Sequence, residues 1–113
     1  MTSTQVRKGA SNAVCPHFHR AIELIGKRWT GAIVVALAEG PMRYADIGKA
    51  IPGLSDRLLS QRLRELEDEG LVERRVEAAT PVRVTYSLTE AGQELDPALR
   101  ELKSWAKRWK KAR

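Results

Sequence analysis

Apolar residues recur at helical spacing in the first third of the chain. Phe18, Ile22 and Ile25 follow one another at intervals of four and three, so they share one face of a helix. Pro16 suits the first position of that helix, because proline lacks the amide hydrogen that goes unpaired there. A second apolar run predicts another helix over residues 29–38. The pattern therefore predicts two short helices within the first third of the chain.

The middle of the chain predicts, in order, a short strand at residues 42–44, a helix at 45–50, a turn at 51–53 and a helix at 55–69. Ala45 is a weak N-cap for the third helix, where Ser or Asp would add about 1 kcal/mol. Pro52 and Gly53 favour the turn, since the residue before proline avoids helix and glycine tolerates positive φ. Ser55 is a favourable N-cap for the fourth helix, which Gly70 is expected to end.

Residues 72–77 and 82–88 alternate with period two, which predicts two strands joined by a loop of hairpin length. Thr89 begins a last helix, in which Asp96-Pro97 predicts either a kink or a new helix start. The order of helix, helix, short strand, helix, helix, hairpin and helix is that of a winged helix-turn-helix. The fold class is thus mainly α with a small β-hairpin.

The fourth helix has two contrasting faces. On a helical wheel Leu59, Leu63 and Leu66 fall within about 60° of one another, which predicts a buried stripe. The candidate DNA-binding residues are at the helix start and on the opposite face: Ser55, Arg57, Ser60, Gln61 and Arg64. Such side chains hydrogen-bond phosphates and base edges in a major groove. The acidic cluster at the C-terminal end is expected to point away from DNA and consists of Glu65, Glu67, Asp68 and Glu69. The alternative for the whole exposed face is a solvated surface of mixed charge.

Arginines also mark the predicted hairpin. Arg83 lies beside its loop, so we predict that it contacts DNA from the wing, with Arg74 and Arg75 nearby. The alternative for Arg83 is a salt bridge to Glu77 across the hairpin.

The formal net charge of +6 arises in a basic tail. Residues 1–99 carry 13 basic and 13 acidic side chains, and residues 100–113 supply the whole excess. This tail either contacts phosphates or is solvated. We predict a flexible segment at residues 1–13 and one domain at 14–113. No apolar run approaches the roughly 20 residues of a membrane span, and a single cysteine fits a cytoplasmic location.

Several runs of the sequence resemble the HxlR family of bacterial transcriptional regulators, over about residues 14–109. They are Cys15-Pro16, residues 24–30 (LIGKRWT), 51–63 (IPGLSDRLLSQRL), 69–74 (EGLVER), 81–89 (PVRVTYSLT) and Gly92. The resemblance implies a MarR-like winged helix that forms a homodimer through its first and C-terminal helices and binds a palindromic operator in double-stranded DNA. Members act as repressors or activators. The chain departs from the family pattern at residues 17–20 (HFHR), at Lys27-Arg28 and at Ala45.

Cys15 is the candidate sensing residue. The resemblance implies sensing of electrophiles, quinones or oxidants through this position. A helix N-terminus and basic neighbours lower the pKa of a thiol, and His17, His19 and Arg20 follow Cys15 in the sequence. The alternative is a small apolar residue at a dimer contact. Metal binding by Cys15, His17 and His19 is disfavoured, because no fourth ligand is near and the histidines point about 200° apart on a helix.

The tryptophans predict packing. Trp29 is expected in the core, whereas Trp105 and Trp109, one helical turn apart, pack in the core or at a dimer contact or form the wall of an aromatic effector site. The competing function is a winged-helix protein–protein interaction module, which would more often show apolar anchors in place of Arg57, Gln61 and Arg64. We expect no enzyme and no cofactor, since no phosphate loop, metal motif or nucleophile with a placed base is present.

Overall fold

The computed structural model describes residues 15–110, so the predicted flexible segment at 1–13 and the end of the basic tail lie outside the described residues. The described helices are α1 (Pro16–Ile25), α2 (Thr30–Leu37), α3 (Tyr44–Ala50), α4 (Asp56–Asp68) and α5 (Glu90–Trp109). The strands are β1 (Met42–Arg43), β2 (Val72–Glu77) and β3 (Arg83–Leu88). This is the predicted order of elements, and the winged helix-turn-helix is confirmed.

The strands form one antiparallel sheet in the order β1-β3-β2. β3 pairs with β2 along its whole length, from Val72 opposite Leu88 to Glu77 opposite Arg83. β1 adds two residues to the other edge, with Met42 opposite Tyr86. The short strand therefore ties the helix-turn-helix to the root of the hairpin.

The core lies where α2, α3 and α4 meet that root, and α5 covers one side of it. Its buried apolar residues are Ile33, Val34, Leu37, Ile47, Ile51, Leu59, Leu63, Leu66, Val72, Leu88 and Leu99. The predicted stripe of α4 is confirmed, since Leu59, Leu63 and Leu66 are at most 1% exposed. Burying each leucine contributes about 2 kcal/mol, which fixes which side of α4 faces inward.

Two predicted helix starts are wrong by one residue. Trp29 lies at φ 81°, in the left-handed region, so α2 begins at Thr30. The Trp29 side chain is half-buried and packs against the core, and the Arg28 guanidinium lies 4.9 Å from its ring centroid. α3 begins at Tyr44 with Arg43 as its N-cap, so Ala45 lies in the first turn and is not the weak cap that the sequence predicted.

α5 is one continuous helix with Pro97 inside it, so the predicted new start at Asp96-Pro97 is wrong. The Asp96 carboxylate does not cap a helix but accepts a hydrogen bond from Arg100 Nε at 2.7 Å. Pro97 cannot donate to the carbonyl of Gln93. Gln93 and Pro97 are exposed, so water can donate a hydrogen bond to that carbonyl.

The outer half of the hairpin extends beyond the core. On β2 only Val72 is buried, whereas Val76 is exposed. Val82 is also exposed and precedes β3. The strand predicted over residues 82–88 therefore begins one residue later than predicted, at Arg83. Val72 and Leu88, at the root of the hairpin, belong to the core, whereas Val76 and Val82 do not.

A backbone clamp closes that root against the end of α4. Thr89 donates from its amide to the Leu71 carbonyl at 3.0 Å and from its hydroxyl to the Gly70 carbonyl at 2.6 Å. The same hydroxyl accepts from the Gly92 amide at 3.2 Å and caps α5. A Cβ on Gly92 would collide with the Leu71 carbonyl oxygen, so only glycine allows this approach.

We predict that Gly92→Ala lowers the free energy of unfolding by about 2 kcal/mol, because backbone must shift to admit the methyl group. Gly48→Ala is the matched control in α3. Its Cβ would meet only Leu59 Cδ2 at 3.8 Å, an ordinary contact, and helix propensity favours alanine by about 0.5–1 kcal/mol. Urea denaturation of both variants checks this, and equal midpoints would contradict the clamp.

Candidate nucleic-acid interface

Local backbone chemistry sets both ends of α4. Ser55 Oγ accepts a hydrogen bond from the Leu58 amide at 3.1 Å, which confirms the predicted N-cap. Gly70 adopts φ 77° just after the helix, which confirms the predicted end. The Ser55 hydroxyl can still donate its own hydrogen to an acceptor outside the protein.

Tyr44 joins α3 to the start of α4. Its hydroxyl donates to the carbonyl oxygen of Asp56 at 2.6 Å. Burial, with the negative charge of Asp56, raises the pKa of Tyr44 above its ordinary value of 10.0, so the hydroxyl is a donor at neutral pH. The sequence analysis missed this contact, because the two residues are 12 positions apart and no motif links them.

The exposed side of α4 holds Arg57, Ser60, Gln61 and Arg64, which we call the recognition face. Neither Arg57 nor Arg64 makes a salt bridge within residues 15–110. Gln61 Nε2 contacts Glu65 Oε2 at 3.4 Å. Between Arg57 and Arg64 the face thus offers two arginine forks, an amide and a hydroxyl.

The acidic half of α4 is engaged with basic residues near α1. Glu65 lies 3.3 Å from Lys27 Nζ, and Glu69 lies 3.5 Å from Arg20 Nη2. Burial alone would raise the pKa of Glu65, but hydrogen bonds from Lys27 and Gln61 outweigh it and hold that pKa below its ordinary value. These two carboxylates therefore have partners within the protein.

Arg62, on the same helix, is turned inward. Its Nε donates to the carbonyl oxygen of Arg28 at 2.9 Å, and its Nη1 donates to Glu65 Oε1 at 3.1 Å. Only 13% of the side chain is exposed. Arg62 is thus not part of the recognition face, although the sequence places it between Gln61 and Arg64.

The hairpin presents Arg74 and Arg83 to solvent, with Arg83 beside the loop as predicted. Arg83 is paired in register with Glu77, yet no salt bridge joins these side chains in the part of the chain that the structure describes. Arg75, in contrast, contacts Glu73 Oε2 at 3.4 Å on its own strand.

Cys15 is the N-cap residue of α1 and is half-buried. Its side chain makes no capping hydrogen bond, while its carbonyl accepts from the His19 amide at 2.9 Å. His19 Nε2 lies 3.5 Å from Glu23, one turn along the helix. Among residues 15–110 no three His, Cys, Asp or Glu side chains cluster in a way that could hold a metal ion.

α1 and α5 expose large apolar side chains: Phe18, Ile22, Leu102, Trp105 and Trp109. Trp105 is 44% exposed and Trp109 is 71% exposed, so the interpretation of either as a core residue of this chain is wrong. Leu99, one turn before Leu102 and about 60° from it around α5, is buried. The two helices therefore have an apolar side that the core does not use.

Comparisons with known proteins agree with this geometry. The family model described as HxlR-like helix-turn-helix matches residues 24–113. An uncharacterised HTH-type transcriptional regulator of Bacillus subtilis (strain 168), YvaP, is 48% identical over 96 residues, which cover 85% of this chain and 89% of YvaP.

None of the helices in residues 15–110 combines the length and apolar character needed to cross a membrane.

Two solved regulators have the same fold. The reduced form of the transcriptional regulator YodB from B. subtilis superimposes with a TM-score of 0.80 at 42% identity, covering 87% of this chain and 96% of YodB. YodB is also known in a quinone-bound form, with a TM-score of 0.74 at 40% identity and coverage of 85% and 100%. The redox regulator HypR in its oxidised form superimposes with a TM-score of 0.79 at 33% identity, and the match covers 87% of this chain and 100% of HypR.

Proposed function

This chain belongs to the HxlR-like helix-turn-helix family of DNA-binding transcriptional regulators, and from that premise we propose that its homodimer reads a palindromic operator with the recognition face of α4. The observation that carries the proposal is the division of α4. Arg57 and Arg64 make no ion pair within residues 15–110 and lie on its exposed side before the acidic end, while Glu65 and Glu69 pair with Lys27 and Arg20.

The proposed contacts follow from the chemistry of each side chain. Arg57 and Arg64 can each donate two hydrogen bonds to a guanine, and Gln61 can pair with an adenine. Ser55 and Ser60 can donate to phosphates, and the positive end of the helix dipole favours the same groups. Arg83 then contacts the backbone or minor groove beside the major groove that holds α4.

We predict that Arg64→Ala weakens operator binding about tenfold or more and relaxes the preference at one base position. Fluorescence anisotropy on a duplex that wild-type protein selects from random DNA measures this. Arg20→Ala, on α1, removes the same charge outside α4, the hairpin and the basic tail, from a side chain that is 74% exposed, and is the matched control. Equal weakening by the two variants would mean that α4 does not read the bases.

The proposed homodimer forms through the apolar sides of α1 and α5. Five large apolar side chains are exposed there, and burying one fully contributes roughly 1.5–3 kcal/mol. An open groove of about 940 Å³ lies between α2 and α5 and is lined by Val35, Leu102 and Ala106 among others. Two copies joined in this way would present two α4 helices to successive major grooves, as a palindromic operator requires.

We predict that Phe18→Glu converts the protein to a monomer at micromolar concentration, because it buries a charge in the proposed contact. Sedimentation equilibrium measures the change. Val82→Glu is the control: both side chains are 62% exposed, but Val82 lies on the hairpin. A Phe18→Glu variant that stays dimeric would exclude α1 from the interface.

We further propose that Cys15 senses electrophiles such as quinones. The support is its half-buried position at the start of α1, together with the similarity to a regulator known in a quinone-bound form. The thiolate sulfur would form a bond to a ring carbon of the quinone, and a proton would complete the hydroquinone thioether. This addition needs no separate oxidant.

We predict that benzoquinone releases wild-type protein from its operator and that Cys15→Ser stays bound. A gel shift with and without benzoquinone measures release. Hydroquinone has the same ring but no electrophilic carbon, so it is the matched control. Equal release of wild type and Cys15→Ser would remove Cys15 from the mechanism.

The relatives are named as transcriptional regulators, which favours this function over a protein–protein interaction module, and we propose no catalytic role.

A further inference from the structure

Arg62, Glu65 and Lys27 form a cluster on one flank of α4, which we call the positioning cluster. On a helical wheel Arg62 and Glu65 lie between the buried leucines and the recognition face. Neither residue belongs to the apolar core, and only 13% of the Arg62 side chain is exposed, which leaves it too enclosed to contact DNA. The function proposed above uses the pairing of Glu65 with Lys27 but leaves Arg62 without a role.

Hydrogen bonds and an ion pair hold the Arg62 and Glu65 side chains in place. The Arg62 guanidinium is shared between the Arg28 carbonyl at 2.9 Å and the Glu65 carboxylate at 3.1 Å. The same carboxylate accepts from Lys27 at 3.3 Å, and it is 24% exposed. Hydrogen bonds to charged groups in partly buried sites contribute more than exposed ion pairs.

The partners of Arg62 and Glu65 belong to the joint between α1 and α2. Lys27 and Arg28 lie in that joint, which Trp29 completes in a left-handed backbone conformation. Glu65 also contacts Gln61, a residue of the recognition face, at 3.4 Å. The cluster therefore links a fixed piece of backbone on one side to a candidate base-contacting side chain on the other.

Such a link matters because leucine burial fixes which side of α4 faces inward, whereas directional hydrogen bonds set the exact rotation of the helix more finely. Apolar burial has no preferred direction, and side-chain tips lie roughly 5–6 Å from the helix axis. A rotation of about 15° would move a tip on the recognition face by about 1.5 Å, roughly half the length of a hydrogen bond. Bidentate pairing with a base does not survive such a shift.

We propose that Arg62 is a positioning residue, which sets the rotation of α4 about its own axis and so determines sequence specificity without touching DNA. The inference rests on the proposed function, since it needs α4 to be the helix that reads the bases. It implies that the effect of Arg62 falls on discrimination between sequences and not on general attraction to phosphates.

The test compares Arg62→Lys, Arg62→Met and wild type on two DNA probes, the selected duplex and a scrambled duplex of equal length. Arg62→Lys keeps the charge but loses the planar fork that reaches two acceptors at once. We expect it to weaken binding to the selected duplex about tenfold, while binding to the scrambled duplex and the salt dependence stay unchanged. The binding titrations are run at a temperature well below the thermal unfolding midpoint of the least stable variant.

Arg20→Met is the matched control. It removes another arginine–glutamate pair between α1 and the end of α4, but that pair is exposed, with 74% of the Arg20 side chain accessible. We expect its ratio of selected to scrambled affinity to equal that of wild type, because exposed pairs restrain little.

Three results would overturn the inference. An unchanged affinity ratio in Arg62→Lys and Arg62→Met, with only a lower unfolding midpoint, would make Arg62 a stabilising residue alone. A parallel loss on both duplexes, with a shallower salt dependence for Arg62→Met, would make it a phosphate contact. Wild-type protein that selects no sequence from random DNA would refute the proposed function itself, which separates that failure from the first two.

Discussion

Burial of the leucine stripe on α4 is the constraint on which the rest of the structure depends. Leu59, Leu63 and Leu66 are completely enclosed, and the helical period then forces Arg57, Gln61 and Arg64 to the opposite side. One apolar face thus decides which polar groups solvent and DNA can reach. α2, α3 and the root of the hairpin supply the surface against which that stripe packs.

Directional contacts refine what the apolar core leaves loose. The Ser55 cap and the Tyr44 hydroxyl fix the start of α4, and the Thr89 clamp fixes the connection beyond its end. Each of these hydrogen bonds joins a side chain to a backbone group, so none of them depends on a second flexible side chain. The helix is consequently anchored at both ends and along one flank.

Local patterns predicted most elements, because their signals lie within a few residues. The stripe of α4, its Ser55 cap and the hairpin each follow from spacing or from a single residue type. Contacts that span the chain escaped prediction. Arg62 donates to a carbonyl 34 positions away, and no local motif in the sequence indicates that contact. The left-handed Trp29 was also hidden, since an aromatic residue rarely adopts that conformation.

The outer half of the hairpin extends beyond the core, and this affects local unfolding. Its root shares the clamp with α5, but its outer half is held mainly by hydrogen bonds between two strands, with Val76 and Val82 exposed. Such a segment opens at a lower free energy than the helices around the leucine stripe. Its amide hydrogens will exchange with solvent well before those of α4, so the molecule has a rigid centre and a wing tip that melts and reforms independently.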